Sequence, residues 1–108
     1  MIARFWHGRV PIAKSKAYFE YLKKTGLKEY DATPGNLGTY IMRREDAEFA
    51  DFLLMTLWES AEAVKHFAGP DAERAVYYPQ DREFLVEMER DATHYQVLHP
   101  PSVPARKG

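Results

Sequence analysis

The chain has no cysteine. Disulfides, thiolate metal sites and cysteine nucleophiles are therefore excluded. It also has no excess of one charge: 15 Lys and Arg stand against 16 Asp and Glu, for a net charge of −1. That balance points to neither nucleic acid nor an anionic membrane as a partner. No apolar run approaches the roughly 18 residues that a membrane span needs. The opening MIARFWHGRV is short and broken by Arg4 and His7, unlike a signal segment. A cytoplasmic protein without membrane contact is the expectation. A Walker loop, GxGxxG, HExxH, a nucleophile elbow and an acidic metal cluster are all missing. Hydrolysis by a triad or a two-metal site is therefore not expected, and no metal or organic cofactor is called for.

What is present is a globular composition with an aromatic surplus. The 108 residues are 45% hydrophobic and 29% charged, which suits one domain with one core. Aromatics reach 14%, with seven Tyr, six Phe and two Trp. Such a surplus suits a lined pocket or an adhesive interface.

The stretch from Phe49 to Tyr78 organises the rest. Its core, FLLMTLW from Phe52 to Trp58, has the length of a buried strand. Phe52, Leu54, Thr56 and Trp58 face one way; Leu53, Met55 and Leu57 face the other. Both faces are apolar, whereas a small antiparallel sheet usually leaves one face wet. One layer of helices covers one face, and a second copy of the chain is the simplest cover for the other. A homodimer is expected on this ground alone.

The remaining elements follow in order. Met1 to Val10 reads as a strand, with Ala3, Phe5 and His7 opposite Ile2, Arg4 and Trp6. Pro11 opens a helix to about Thr25, with an apolar stripe of Ile12, Phe19 and Leu22 widened by Ala13, Tyr18 and Tyr21. Gly26 is the expected stop, and Leu27 to Gly38 a loop. Tyr40 to Arg44 forms a hairpin with the organising strand. Ser60 caps a helix whose inward face is Ala63, Val64 and Phe67. Pro70 restarts a second short helix, ended by Pro79. Gln80 to Glu83 makes one more turn, and Phe84 to Val97 holds the last strand. The order β-α-β-β-α-β is the α+β, ferredoxin-like split unit with a four-stranded antiparallel sheet. The domain is expected over 1–98, and residues 99–108, with three prolines, form a tail.

Seven residues carry the candidate chemistry, and of these His66, on the outer side of its helix, reads as solvated. His7 titrates in the range of a general base, although a lone His on an apolar strand face is more often a packed residue. Tyr77 and Tyr78 either pack with wet hydroxyls or bind a phenolic or carbonyl oxygen. Trp58 ends the buried strand and fills core. Arg74 pairs with its neighbours Asp71 or Glu73, or clamps an anion. Phe67 offers an apolar wall. Residue type alone gives each of these a weak signal.

Together, the strand ending TLWES, the helix AEAVKHF and the restart PDAERA resemble the antibiotic-biosynthesis monooxygenase superfamily. The likeness spans roughly residues 1–98. It implies a dimeric α/β barrel, with two sheets face to face and helices outside. Some members oxidise polycyclic phenols to quinones with molecular oxygen and no cofactor; others bind haem and open its ring. The haem-degrading branch uses an Asn on the first strand, a Trp on the helix after the Trp-x-Ser motif, and a haem-ligating His on the next helix. Counted from Trp58, those places fall on His7, Phe67 and Tyr77, so none of the three is retained and ordinary haem ligation loses its His. The resemblance thus implies one cavity holding His7, Phe67 and Tyr77, between sheet and helices. His7 and Tyr77 become the expected catalytic pair, as base and oxyanion partner. Trp58, Phe67, Arg74 and Tyr78 become the substrate-binding residues. The implied activity is cofactor-independent oxidation of a small aromatic or enolisable substrate by O2. The alternatives are a non-catalytic dimeric small-ligand-binding module and a haem-binding protein using Tyr77 or His66.

Overall fold

The computed structural model describes residues 1–100. Most of the expected tail, 101–108, lies outside the described residues. Four strands form one antiparallel sheet: β1 (Ile2–Pro11), β2 (Asn36–Glu45), β3 (Phe49–Trp58) and β4 (Thr93–Gln96). Their order is β2-β3-β1-β4, so the organising strand is interior and lies against β1. This is the α+β ferredoxin-like arrangement. The β2–β3 turn is held by Asp46, whose carboxylate accepts from the Glu48 and Phe49 amides.

The register fixes the two faces. Trp6 pairs with Leu54 and His7 with Leu53, so Trp6 and His7 point to opposite sides. On one side Trp6, Val10, Phe52, Leu54 and Trp58 form the core, covered by Tyr18, Leu22, Tyr30, Val64 and Leu85. On the other side no element among the described residues covers Tyr40, Met42, Leu53 and Tyr95, which remain 38–58% exposed.

Four helices lie on the covered side: α1 (Ser15–Lys24), α2 (Gly26–Ala32), α3 (Ala61–Ala68) and α4 (Asp81–Phe84). The α1 stripe centres on Ser15, Tyr18 and Leu22, one position off the expected Phe19. Gly26 does not stop the helical run. The break is at Thr25 (φ −115°, ψ −89°), and Gly26 opens α2 where a loop was expected. Tertiary packing overrides composition there, because Tyr30 is buried against Trp58 and Phe67. In α3 the Ser60 hydroxyl accepts from the Ala63 amide, as a cap should, and Ala63 and Val64 face inward.

The second short helix after Pro70 does not form. Its backbone groups pair with residues 90–92 instead. Arg74 bridges Asp91, the Ala75 amide donates to Arg90 and the Ala92 amide donates to Glu73. The Arg4 guanidinium takes the Ala72 and Arg74 carbonyls. The last strand is likewise shorter than Phe84 to Val97. After the α4 turn, residues 85–92 leave the sheet, and only Thr93–Gln96 pairs with β1.

Candidate functional site

On the helix side, the expected wall residues meet. Phe67 lies 5.9 Å from Trp58 and 4.5 Å from Tyr30, ring to ring. Trp58 is fully buried and donates its indole N–H to Thr56. Tyr77 accepts from Trp6 Nε1 at 3.4 Å and donates its hydroxyl to the Glu89 carbonyl. Tyr78 packs by Gly26 at the mouth of the same crevice. Burial pushes the Tyr77 and Tyr78 phenols up, so both stay protonated and can only donate or accept as neutral hydroxyls. Arg74 is exposed and its guanidinium lies 4.0 Å from Asp71, the pairing alternative rather than the clamp.

This crevice is filled. Trp6, Tyr18, Leu22, Tyr30 and Tyr78 leave a space of about 10 Å³. A porphyrin has no room in it. At the position where the resemblance puts an axial ligand, the Tyr77 oxygen is engaged by Glu89 and Trp6. Asp81, buried at the base of the crevice, accepts from the Tyr18 hydroxyl at 2.9 Å and the Tyr78 amide at 2.6 Å. Burial raises its pKa against the help of those two donors.

His7 is not in that crevice. The expectation of one cavity for His7, Phe67 and Tyr77 is corrected by strand alternation, because Trp6 occupies the covered face and its neighbour must take the other. His7 instead opens onto a concavity of about 430 Å³ on the uncovered face. Met42 and Leu53 form its apolar part, and Arg9, Arg44 and Asp51 its polar part; Arg43 borders it, but its guanidinium turns to the covered side and donates to Ser15.

The electrostatics of His7 are set by two carboxylates. Nε2 is 2.8 Å from Asp51 Oδ1, and Nδ1 is 2.9 Å from Glu89 Oε2. Ionised carboxylates only accept, so this geometry favours the ring with a proton on each nitrogen, the imidazolium. Burial opposes that charge, but the hydrogen bonds to Glu89 and Asp51 outweigh it and raise the His7 pKa. Asp51 also accepts from Arg9 Nε at 2.8 Å, and Arg9 followed by His7 holds its carboxylate below the usual range. An imidazolium with both N–H groups engaged stabilises an anion; it does not abstract a proton. Glu89 links the two faces, its carboxylate on His7 and its carbonyl on Tyr77.

Sequence reasoning missed Arg9, Asp51 and Glu89. Two of these had a signal. Arg9 and Asp51 are direct cross-strand partners, visible once the hairpin register is extended back from Phe52. Glu89 had none, because it lies in the irregular 85–92 stretch. Among the described residues, no group of three or more His, Asp or Glu is placed to hold a metal ion, and no helix is long and apolar enough to cross a membrane.

No family model and no curated protein matches the sequence. Solved structures do share the fold. A candidate antibiotic biosynthesis monooxygenase from Bacillus cereus is 18% identical over 94% of this chain and 97% of its own, with a TM-score of 0.61. The haem degrader MhuD of Mycobacterium tuberculosis, solved with two haems in its active site, is 18% identical over 94% of this chain and 100% of its own, at 0.63. The NE2512 protein of Nitrosomonas europaea, of unknown function, is 11% identical over 96% of this chain and 94% of its own, at 0.67. At such identities the likeness concerns the fold: this chain has the α+β ferredoxin-like fold of antibiotic-biosynthesis-monooxygenase-type structures.

Proposed function

We propose that the chain is a cofactor-independent monooxygenase that oxidises a small aromatic or enolisable substrate with O2, and that it works as a homodimer. The observation that carries this reading is the 430 Å³ concavity in which His7 meets Arg9 and Arg44 above an apolar floor. A phenol or enol binds there as its anion. His7 and the arginines stabilise the oxyanion in a partly desolvated site. The electron-rich anion then passes an electron to O2, and the radical pair collapses to a hydroperoxide. Loss of water leaves a carbonyl: one oxygen atom stays in the product, the other leaves as water, and the substrate supplies the electrons. Tyr77 acts at one remove, by holding Glu89. The walls Trp58 and Phe67, with Tyr78 and Arg74, shape the opposite face and are not needed for this chemistry.

The second copy roofs the concavity. Three paired strands of about ten residues present roughly 500 Å² in projection. That is the order of one partner's share of a standard protein interface, roughly 800 Å². The exposed Tyr40, Met42, Leu53 and Tyr95 carry no charge, so an identical face is a fitting cover.

An oxygen electrode tests the activity, with a panel of phenols, quinols and β-dicarbonyl compounds. Turnover by the wild type, reduced by about 10²-fold in His7→Gln, is the expected result for loss of one oxyanion donor. Undiminished turnover in that variant would remove His7 from the mechanism. A non-catalytic binding module is the second reading, favoured because both His7 nitrogens are already bonded. Saturable ligand binding with no oxygen uptake from any panel member would select it.

A further inference from the structure

The His7 cluster is asymmetric in a way that names its ligand. Asp51 is fixed on β3, receives both Arg9 (2.8 and 3.5 Å) and His7, and has a side chain 21% exposed. Glu89 stands on the irregular 85–92 stretch, its side chain is 40% exposed, and among the described residues its carboxylate bonds His7 Nδ1 alone. On the uncovered face the cations His7, Arg9 and Arg44 face the carboxylates Asp51 and Glu89, and Glu87 and Asp46 add their charge near Arg9. Arg43 and Glu45 are engaged on the other face, where Glu45 accepts from Ser15 at 2.6 Å and lies 3.8 Å from Arg43. The Arg44 guanidinium has no carboxylate within 4.0 Å among the described residues. Beside them Met42 and Leu53, 39% and 38% exposed, offer apolar surface.

We infer that the concavity takes a small monocarboxylate with a flat apolar body, whose carboxylate replaces that of Glu89 on His7, so that Glu89 is a built-in, displaceable competitor. This rests on the reading of the concavity as the binding site, but not on the oxidation assigned to it. The exchange conserves charge on His7: one carboxylate leaves for solvent as another arrives. It also satisfies Arg44, which Glu89 does not reach, and covers Met42 and Leu53. A free phosphate or sulfate would answer the charge but not the apolar floor. Selectivity for a carboxylate over its neutral amide follows, because an imidazolium and an arginine would otherwise face an uncharged group.

The probe is benzoate, with benzamide as the neutral isostere and inorganic phosphate as the anion without an apolar body. Binding is read by calorimetry and by the imidazole NMR signals of His7. Wild type should bind benzoate saturably, with benzamide and phosphate each at least about tenfold weaker, a difference of about 1.4 kcal/mol. Removing the competitor in Glu89→Gln should tighten benzoate by about fivefold or more. Glu89→Ala serves as the second variant, and a single cooperative thermal transition shows that either is folded. Benzoate binding that is equal in wild type and both Glu89 variants overturns the inference, as does equal affinity for benzamide. Tight, Glu89-limited benzoate binding with no oxygen uptake from any panel member sinks the oxidation and leaves this inference standing. Turnover of uncharged substrates only does the reverse.

Discussion

Arg4 is a buried cation with no carboxylate partner among the described residues, and replacing it by Met sets two opposing effects against each other. Arg4 is 2% exposed. Its guanidinium donates to the Ala72 carbonyl and to Arg74 O at 2.8 Å, approaches His94 Nε2 at 3.0 Å, and lies 5.7 Å from the Phe67 ring centre. No carboxylate pairs with it among the described residues. Burial lowers its pKa, which marks the unfavourable side of keeping this charge inside. An apolar replacement of similar length relieves that penalty, and such swaps are sometimes neutral or stabilising. On the other side, two carbonyls lose their donor. A buried acceptor left bare costs roughly 1–3 kcal/mol. Arg74 is exposed and its carbonyl rehydrates cheaply, whereas the half-buried Ala72 carbonyl does not. The acceptor loss is expected to win, with a net destabilisation of about 2 kcal/mol for Arg4→Met. For a domain of this size that lowers Tm by roughly 8–16 °C.

Thermal and urea unfolding followed by circular dichroism measures the total. Hydrogen exchange separates the mechanism from a general loss of packing. If Arg4 clamps the 72–74 stretch to the sheet, protection should fall first at the Ala75 and Ala92 amides, which bond Arg90 and Glu73 across that stretch. An Arg4→Met protein with unchanged or raised Tm and unaltered exchange at those two amides would refute the clamp. Desolvation of the charge would then be the larger effect.

Gly8→Ala should destabilise by about 1–3 kcal/mol, since overpacking a core site costs that much. A Cβ there would fall 2.3 Å from the Trp6 ring and 2.9 Å from Leu85, as thermal unfolding would register. The His7 pairs should make stability depend on pH with a defined sign. The folded-state pKa is raised, so their contribution is fully present below about 6.5 and is lost as pH rises through the folded value. Tm measured against pH in wild type and His7→Gln should diverge below that range and converge above it. Parallel curves throughout would show that His7 gains no charge-dependent partner on folding. Leu53→Glu, in the middle of the uncovered face, should convert a dimer into a monomer by sedimentation. A wild type that already sediments as a monomer would remove the second copy from the proposed site.

What was legible in the sequence is what periodicity controls. The strand Phe52 to Trp58, its two apolar faces, the hairpin before it and the cap at Ser60 all follow from alternation and end chemistry, which act within a few residues. What was illegible depends on distant partners. The helix Gly26–Ala32 exists because Tyr30 reaches Trp58, and the helix after Pro70 is lost because residues 90–92 and Arg4 claim its backbone. Neither partner is near in sequence. The site shows the same division. Alternation placed His7 with Ala3 and Phe5, opposite Trp6, and the structure agrees. The count from Trp58 then drew His7 into one cavity with Phe67 and Tyr77, against that alternation. The face of a strand residue is a stronger constraint than its offset from a motif, because a shift of one position reverses every side chain.

Glu89 shows why the two sides of the sheet can nevertheless be coupled without sharing a cavity. Its carbonyl receives the Tyr77 hydroxyl on the helix side, and its carboxylate meets His7 on the uncovered side. The first contact is made by backbone, the second by a side chain with its own rotatable bonds. The carboxylate can therefore leave His7 while the carbonyl stays on Tyr77. Exchange at the concavity then requires no opening of the packed crevice, where Trp6, Tyr18 and Tyr30 leave about 10 Å³. The aromatic side of the sheet keeps 85–92 in place, and the charged side is free to trade one carboxylate for another.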